Sequence, residues 1–279
     1  MKKLLFTEVL GLKLKDKVIV ITGSSRGIGK SIAGACIAEG AKVVISSRNL
    51  ESVKKTCKEF DPEGKCTSGI VADVYNEEDL QKLLEHAIEK FKRIDIWINN
   101  AGIAGGYMAI DEMSYEEIEL IVNVNLIGVL NACKLIIPYF IKQGSGIILN
   151  MSGRGGKFEA SPFQAVYAST KAAIISATKS MAVENKKYPI SIHAINPGMV
   201  DTDILKNVKS GPKSNYENAT LKYVLNAFGV PIDVVGKSVA AIVSQVPGKK
   251  TGKVYSLLSG LRMIRGIILI MYYRMSRKI

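Results

Sequence analysis

Short apolar runs alternate with amphipathic segments along most of the chain. The runs are rich in Val and Ile and too short for buried helices, so each predicts a buried strand. These strands cover residues 17–22, 41–46, 66–71, 94–98, 146–150 and 190–195. Helical patterns stand between them, over 32–39, 50–60, 77–91, from about 114 onward and around Tyr167. This alternation predicts an α/β fold, a single Rossmann-type doubly wound parallel sheet with helices on both faces.

The length and composition favour one large domain. The chain has 279 residues, 47% of them hydrophobic, which is enough for one buried core. No linker rich in Pro, Gly or Ser suggests a second domain. We expect a Rossmann-fold domain over residues 1–256, followed by a basic amphipathic C-terminal tail over residues 257–279.

The cysteine and histidine content argues against metal binding and against export. The four cysteines are scattered without a Cys-x-x-Cys pair, and with two histidines they form no metal-site spacing. The apolar N-terminus is interrupted by Glu8 and then by Lys13, unlike a signal peptide. We therefore expect reduced thiols, no metal and a cytoplasmic protein.

A glycine-rich turn, Gly23-Ser-Ser-Arg-Gly27-Ile-Gly29, follows the first predicted strand and precedes a helical pattern. Glycines allow the backbone to approach a pyrophosphate, whose charge the amide groups at a helix N-terminus can bind. The spacing differs from the usual Gly-x-Gly-x-x-Gly. The turn indicates a dinucleotide site, although a turn of this kind alone also occurs in proteins that bind no nucleotide.

Tyr167 and Lys171 lie in an Ala-rich run without Gly or Pro. A helix there would place them on one face, one turn apart. A free phenol titrates near pH ~10, but an adjacent ammonium stabilises the phenolate and brings proton transfer within reach. The alternative is a Tyr and a Lys on a solvated helix face.

Further polar residues follow other strands or interrupt apolar stretches. Asn99-Asn100-Ala101-Gly102 follows the fourth strand, where short side chains and a glycine allow close approach of another group, although a structural turn would look the same. Asn125 lies within an apolar stretch, and a buried amide needs partners. His193 alternates within a strand, so we interpret it as a structural histidine.

Five motifs in this order resemble those of the short-chain dehydrogenase/reductase family, over about residues 15 to 256. They are Thr22-Gly-Ser-Ser-Arg-Gly-Ile-Gly29, Asn99-Asn-Ala-Gly102, Asn125, Tyr167-x-x-x-Lys171 and Pro197-Gly198. The runs Asp-Ile-Trp-Ile-Asn-Asn-Ala-Gly, Asn-Met-Ser-Gly and Ala-Val-Tyr-Ala-Ser-Thr-Lys look particularly like the chlorophyll b reductase branch.

The resemblance implies the catalytic roles. Tyr167 would donate a proton to a carbonyl oxygen, and Lys171 would lower the pKa of Tyr167 while holding the nicotinamide ribose. Asn125 would anchor a water that relays protons to Lys171. A fourth member of the family's site, a serine, usually stands thirteen residues before the tyrosine, where this chain has Arg154. Ser152 is the nearest candidate.

The resemblance also implies a nicotinamide cofactor, and the charges favour NADPH/NADP. The second strand ends in Ser46-Ser47-Arg48 instead of an acidic residue, and Arg26 lies in the glycine turn, so a 2'-phosphate would suit the site. Alternatively, Arg48 is a solvated turn residue. In the family's pattern Asp73 would contact the adenine and Thr202 the nicotinamide amide. The expected cofactor-binding residues are Gly23, Ser25, Arg26, Gly27, Ile28, Gly29, Arg48, Asp73, Val74, Asn99, Ala101, Gly102, Tyr167, Lys171, Pro197, Gly198, Val200 and Thr202.

The formal charge of +13 is concentrated near the C-terminus, where residues 249–279 hold eight basic residues and no acidic one. The apolar run at 267–273 is far below the ~20 residues needed to span a bilayer. As a helix, the tail would carry an apolar stripe through Leu257, Leu261, Ile264, Ile268, Met271 and Met275. Such a helix can lie in a membrane interface, or pack on the protein body or on a neighbouring subunit.

These features predict an NADPH-dependent oxidoreductase that reduces a carbonyl group on a hydrophobic, lipid-like substrate. We expect a homo-oligomer, dimer or tetramer, in the cytoplasm, with peripheral contact to the inner face of a membrane through the tail and no nucleic acid partner. The alternative is a non-catalytic nucleotide-binding sensor or membrane scaffold on the same fold.

Overall fold

A computed structural model describes residues 12–156, 160–203, 209–214 and 218–276. Seven strands of these residues form one parallel sheet in the order β3-β2-β1-β4-β5-β6-β7. They are β1 (Val18–Ile21), β2 (Lys42–Ser47), β3 (Thr67–Val71), β4 (Ile96–Asn99), β5 (Gly146–Met151), β6 (Ile190–Asn196) and β7 (Val254–Ser256). The strand order reverses between β1 and β4, so the predicted doubly wound Rossmann-type sheet is confirmed.

Helices connect the strands and cover both faces of the sheet. They are α1 (Gly27–Ala38), α2 (Leu50–Phe60), α3 (Glu77–Phe91), α4 (Tyr115–Val122), α5 (Gly128–Gln143), α6 (Ala165–Glu184), α7 (Asn218–Phe228), α8 (Ile232–Val243) and α9 (Leu261–Met275). A π-helical stretch, Asn123–Ile127, joins α4 to α5. The predicted C-terminal helix is confirmed as α9, and it begins at Leu261 because β7 and a turn precede it.

Side-chain caps explain why several helices begin where they do. The Asn49 side chain accepts a hydrogen bond from the Ser52 amide at the start of α2, and Asn76 accepts one from the Asp79 amide at the start of α3. Ser114 caps α4 in the same way. Each cap satisfies an amide that the helix itself leaves free.

The alternation of side chains along the strands divides the core into two layers. Ile19 and Ile21 of β1 face one cluster, which includes residues of α1 and α8, while Val20 faces a second cluster with residues of α3, α5 and α6. β1 is buried on both faces, as parallel strands between helical layers usually are. The sheet is therefore held rigid from both sides.

Residues 115–143, which include α4 and α5, form a stretch that is long and apolar enough to cross a membrane by length and composition. Ile136 and Phe140 of this stretch are fully buried in the second core cluster. We therefore assign it as a core helix of the fold.

Candidate active site

The turn between β1 and α1 brings backbone close to backbone. Gly23 has a φ of 63°, a left-handed conformation that favours glycine. A Cβ on it would lie 2.9 Å from the Cα of Ala101, and a Cβ on Gly29 would lie 2.4 Å from the carbonyl oxygen of Gly23. No side chain of the described residues caps the start of α1, so its amides are left to bind an anion. This cradle fits the pyrophosphate of a dinucleotide.

A cleft of about 390 Å³ opens at the carboxyl ends of β1 to β5, beside this turn. Ligands of doubly wound sheets bind at this edge, next to the point where the strand order reverses. Most of the predicted residues line the cleft, namely Gly23, Ser25, Arg26, Gly27, Ile28, Gly29, Arg48, Asp73, Val74, Ala101, Gly102, Ser152, Tyr167, Lys171, Pro197 and Thr202. The structure thus brings together side chains from distant parts of the chain.

Asn99, Asn125, Gly198 and Val200 do not line the cleft in this structure, whereas Asn100 does. The Asn100 side chain donates hydrogen bonds to the carbonyl oxygens of Thr22, at 2.9 Å, and of Gly23, at 3.0 Å. It therefore holds the glycine turn against the end of β4. The sequence contains both asparagines of the motif, Asn99 and Asn100. Which of the two side chains faces the glycine turn depends on the alternation of side chains along β4.

Asn99 instead belongs to a buried hydrogen-bond network under the cleft. Its Oδ1 accepts from Nε1 of Trp97 and its Nδ2 donates to Oδ1 of Asn150, both at 2.8 Å. Asn150 in turn donates to the hydroxyl of Thr178, on α6, at 3.0 Å. A fully satisfied buried network of this kind favours a single arrangement, so it fixes α6 relative to β4 and β5.

Helix α6 carries Tyr167 and Lys171 on the same face, one turn apart, as predicted. The Lys171 ammonium lies 5.7 Å from the centre of the Tyr167 ring and donates to the carbonyl oxygen of Met151 at 3.2 Å. A Cβ on Gly102 would lie 3.4 Å from the Lys171 Nζ. The ammonium is thus held between the ends of β4 and β5 at the floor of the cleft.

Burial shifts the pKa values of Tyr167 and Lys171. It raises the pKa of the Tyr167 phenol to about 12, with a smaller contribution from Tyr107, and lowers the pKa of Lys171 to about 8. Removal from water disfavours the charged form of each group. We expected Lys171 to lower the pKa of Tyr167, but in this structure burial dominates and the shift is upward.

Asn125 lies at the centre of the π-helical stretch and is fully buried. Its side chain accepts from the backbone N–H of Ile103 and donates to the carbonyl oxygen of the same residue, both at 2.8 Å. Its Nδ2 also approaches the Thr170 hydroxyl at 3.4 Å, on α6 between the two catalytic candidates. The prediction that this amide needs partners is confirmed, and they join the segment after β4 to α6.

The Ser152 hydroxyl lines the cleft and donates to the backbone carbonyl oxygen of Lys171 at 3.0 Å. The position that faces the phenol is the next one, because a Cβ on Gly153 would lie 2.7 Å from the Tyr167 hydroxyl oxygen. The glycine therefore leaves open the space beside the phenol, and the substrate-binding role of Ser152 stays a prediction.

Two arginines stand at the end of the cleft formed by β2 and the glycine turn. The Arg26 guanidinium forms an exposed ion pair with Asp203 at 3.3 Å. Arg48 is exposed and follows Ser47 directly at the end of β2. Positive charge at this end would suit an additional phosphate on the adenosine ribose.

His193 is buried, and its Nδ1 accepts a hydrogen bond from the backbone N–H of Lys253 at 3.3 Å. It lies in β6 away from the residues that line the cleft. This agrees with its interpretation as a structural histidine. Among the described residues, no group of three or more His, Cys, Asp or Glu side chains could hold a metal ion.

Known proteins resemble this chain in sequence. The family model described as short chain dehydrogenase matches residues 17–213. A 3-oxoacyl-(acyl-carrier-protein) reductase of Thermotoga maritima is 33% identical over 253 residues, 90% of this chain and 99% of that protein. A probable chlorophyll(ide) b reductase, chloroplastic, of Arabidopsis thaliana is 36% identical over 205 residues, 67% of this chain and 41% of that protein.

Solved structures resemble the fold over nearly its whole length. A 3-ketoacyl-(acyl-carrier-protein) reductase from Brucella melitensis, complexed with NADH, has a TM-score of 0.77 at 28% identity and covers 87% of this chain and 97% of its own. An actinorhodin polyketide ketoreductase with NADPH has a TM-score of 0.80 at 26% identity and covers 88% and 97%. Both similarities cover most of this chain and nearly all of the other.

Proposed function

The chain is an oxidoreductase that belongs to the short-chain dehydrogenase family, and on that premise we propose that it uses NADPH to reduce a carbonyl group on a hydrophobic substrate. The observation that carries the proposal is the position of Tyr167 and Lys171, both in the cleft that adjoins the glycine turn. A phenol in that position is a proton donor within reach of a nucleotide held by the turn.

Each catalytic candidate has a defined role in this proposal. Tyr167 donates its proton to the substrate oxygen, and a pKa of about 12 keeps that proton in place at physiological pH. Lys171, with a pKa of about 8, returns a proton to the phenol after each cycle and holds the ribose hydroxyls. Asn125 anchors a water that feeds protons to Lys171. The carbonyl carbon would accept a hydride from a nicotinamide bound in the cleft.

Arg48 carries the preference for NADPH. It lies at the end of β2, where an acidic residue would instead favour the ribose hydroxyls of NADH, and it can form charge-assisted hydrogen bonds to a 2'-phosphate. Arg26 already pairs with Asp203, so we assign it the smaller contribution.

The hydrophobic class of substrate is supported by the lining and by the relatives. Ile103, Ala104 and Met151 are apolar residues that line the cleft together with Tyr167. The relatives are described as a 3-oxoacyl-(acyl-carrier-protein) reductase and a probable chlorophyll(ide) b reductase. Each of these names refers to a compound that carries a carbonyl group and a large apolar part. A carbonyl on a lipid-like body fits both observations.

The proposal includes a homo-oligomer, dimer or tetramer, in the cytoplasm. The homo-oligomer is supported by an apolar groove between α4 and α6, outside the cleft, to which Val122, Leu126 and Val166 contribute. A second copy of the chain would bury this groove.

Titration with both cofactors tests the proposed preference. NADPH should bind at least about tenfold more tightly than NADH, and Arg48→Ala should remove most of that difference by weakening NADPH alone. Cofactor fluorescence measures both affinities without a substrate. Arg274→Ala, which removes an arginine on α9 far along the chain, should leave both affinities unchanged. Equal affinities in the wild type, or a preference for NADH that Arg48→Ala does not alter, would contradict the assignment.

A further inference from the structure

Helix α9 presents two opposite faces, and one of them packs on α7. Gly266 and Tyr273 are buried, and a Cβ on Gly266 would lie 2.3 Å from the Phe228 ring. The Tyr273 ring packs at a tilt against that of Tyr223, with their centres 5.0 Å apart, and its hydroxyl accepts a hydrogen bond from the Asn226 side chain. Helix α9 packs on the rest of the protein through this face.

The outer face of α9 is apolar and exposed. It consists of Leu261, Ile264, Ile268, Met271 and Met275, the stripe that the sequence predicts without Leu257. Exposure reaches 84% at Leu261 and 83% at Met275. At ~3.6 residues per turn these side chains share one side, opposite Gly266 and Tyr273. A contiguous apolar face of this kind marks an interaction site.

Basic residues border the outer face. Arg265 and Arg274 are exposed, and helical geometry places them on opposite edges of the apolar face. No acidic residue follows Asp233 in the sequence. The described part of this acid-free stretch also exposes Lys249, Lys250 and Lys253. A partner of this face must therefore be apolar at its centre and negatively charged around it.

We propose that the outer face of α9 docks on the surface of a membrane that contains anionic lipids, with the helix lying parallel to the bilayer plane. The apolar side chains enter the acyl boundary while Arg265 and Arg274 meet the headgroups. With 15 residues α9 is shorter than the ~20 needed to span the hydrocarbon layer. Binding in the plane of the interface is the arrangement that suits both its length and its charge.

This docking would place the cleft close to the bilayer. A Cβ on Gly198 would lie 3.1 Å from Leu258, which leads into α9, and the neighbouring Pro197 lines the cleft. Helix α7, on which α9 packs, is linked to the same region because the Val230 amide, just after α7, donates to the Met199 carbonyl oxygen at 2.7 Å. A hydrophobic substrate dissolved in the bilayer would have a short path to Tyr167.

Co-sedimentation of the full chain with vesicles tests the docking, with no substrate or cofactor present. Vesicles of phosphatidylcholine with phosphatidylserine should pellet the wild type, and pure phosphatidylcholine or high salt should weaken binding at least about tenfold. Ile268→Glu/Met271→Glu should lose binding by at least about tenfold because it places charge in the acyl boundary. Val246→Glu, which changes a side chain that is 67% exposed outside α9, should bind like the wild type.

A second variant separates the charge from the apolar face. Arg265→Gln/Arg274→Gln should reduce the preference for anionic vesicles while leaving binding to neutral ones unchanged. The proposal is overturned if the wild type stays in the supernatant, or if the double Glu variant sediments like Val246→Glu. It is also overturned if the double Glu variant changes only the oligomeric state, measured by analytical ultracentrifugation, because the face then joins copies of the chain. Failure here leaves the proposed reduction untouched, since no activity is measured.

Discussion

At the scale of single residues, burial sets the chemistry of the site. It keeps Tyr167 protonated and makes Lys171 lose its proton more easily. A protonated phenol beside an amine that titrates near neutrality suits proton donation to a carbonyl. The Lys171 ammonium donates to the Met151 carbonyl oxygen, and burial is the main cause of the raised pKa of Tyr167.

The sequence predicts which residues lie at the cleft more reliably than it predicts the orientations of their side chains. The sequence places Tyr167, Lys171, Arg48 and the glycines at the cleft, because spacing and strand ends determine where they lie. It cannot show that the Ser152 hydroxyl is bonded to a backbone carbonyl, or that Gly153 faces the phenol. Those facts depend on the path of the loop after β5.

His193 should make the protein sensitive to acid. Burial and the charge of Lys253 lower its pKa from 6.5 to about 4, so the folded state binds fewer protons than the unfolded state between these values. The free energy of unfolding should therefore fall as pH falls through this window, by up to about 3 kcal/mol in total. Urea denaturation between pH 7 and 4 measures it.

The matched variant for this prediction is His193→Asn, whose side-chain oxygen can still accept from the Lys253 amide but does not titrate. The difference in unfolding free energy between wild type and variant should shrink as the pH falls. Only the wild type has a histidine here, and the proton that this histidine binds in the unfolded state stabilises that state. A difference that is constant across the window would show that His193 does not account for the pH dependence.

At the scale of elements, the sheet and its helices follow from local sequence, and the exceptions follow from tertiary contacts. α2 and α3 run over the predicted residues because asparagines cap them. α1 begins earlier than its apolar pattern, at Gly27, because the glycine turn itself forms the first helical residues. The π-helical stretch was not predicted from the sequence, and its Asn125 makes a tertiary contact by accepting a hydrogen bond from the Ile103 amide.

The packing of α9 on α7 depends on the absence of a side chain at Gly266. In Gly266→Ala the new Cβ would meet the Phe228 ring at 2.3 Å and the Ala227 carbonyl oxygen at 2.8 Å. We expect the clash to outweigh the gain in helix propensity, with a net loss of about 1–2 kcal/mol in the local stability of α9. Faster amide hydrogen exchange across Leu261–Met275 would report it.

Ile268→Ala provides the comparison, because it trims an exposed side chain on the same helix and should change exchange little. Unchanged or slower exchange in Gly266→Ala would mean that α9 is not held by this contact.

At the scale of the whole molecule, the reversal of strand order between β1 and β4 gathers the site. Residues from the ends of β1 to β5, far apart in sequence, line one cleft. The regular alternation of strands and helices was enough to predict the doubly wound sheet whose edge carries the cleft. The sequence left open whether the tail lies in a membrane interface or packs on protein. The structure shows that α9 buries Gly266 and Tyr273 on one face and leaves apolar residues such as Ile268 exposed on the other.

The central claim is that Tyr167 donates the proton for NADPH-dependent carbonyl reduction. The most direct measurement is NADPH oxidation by wild type, Tyr167→Phe and Tyr115→Phe with long-chain ketones, acyl thioesters and formyl-bearing macrocycles. Tyr115 is 89% exposed and serves as the matched control. We predict turnover by the wild type and the control, and a loss of at least about a hundredfold in Tyr167→Phe with NADPH affinity retained. Comparable turnover by Tyr167→Phe would contradict the claim. So would a wild type that binds NADPH but oxidises it in the presence of none of these carbonyl compounds.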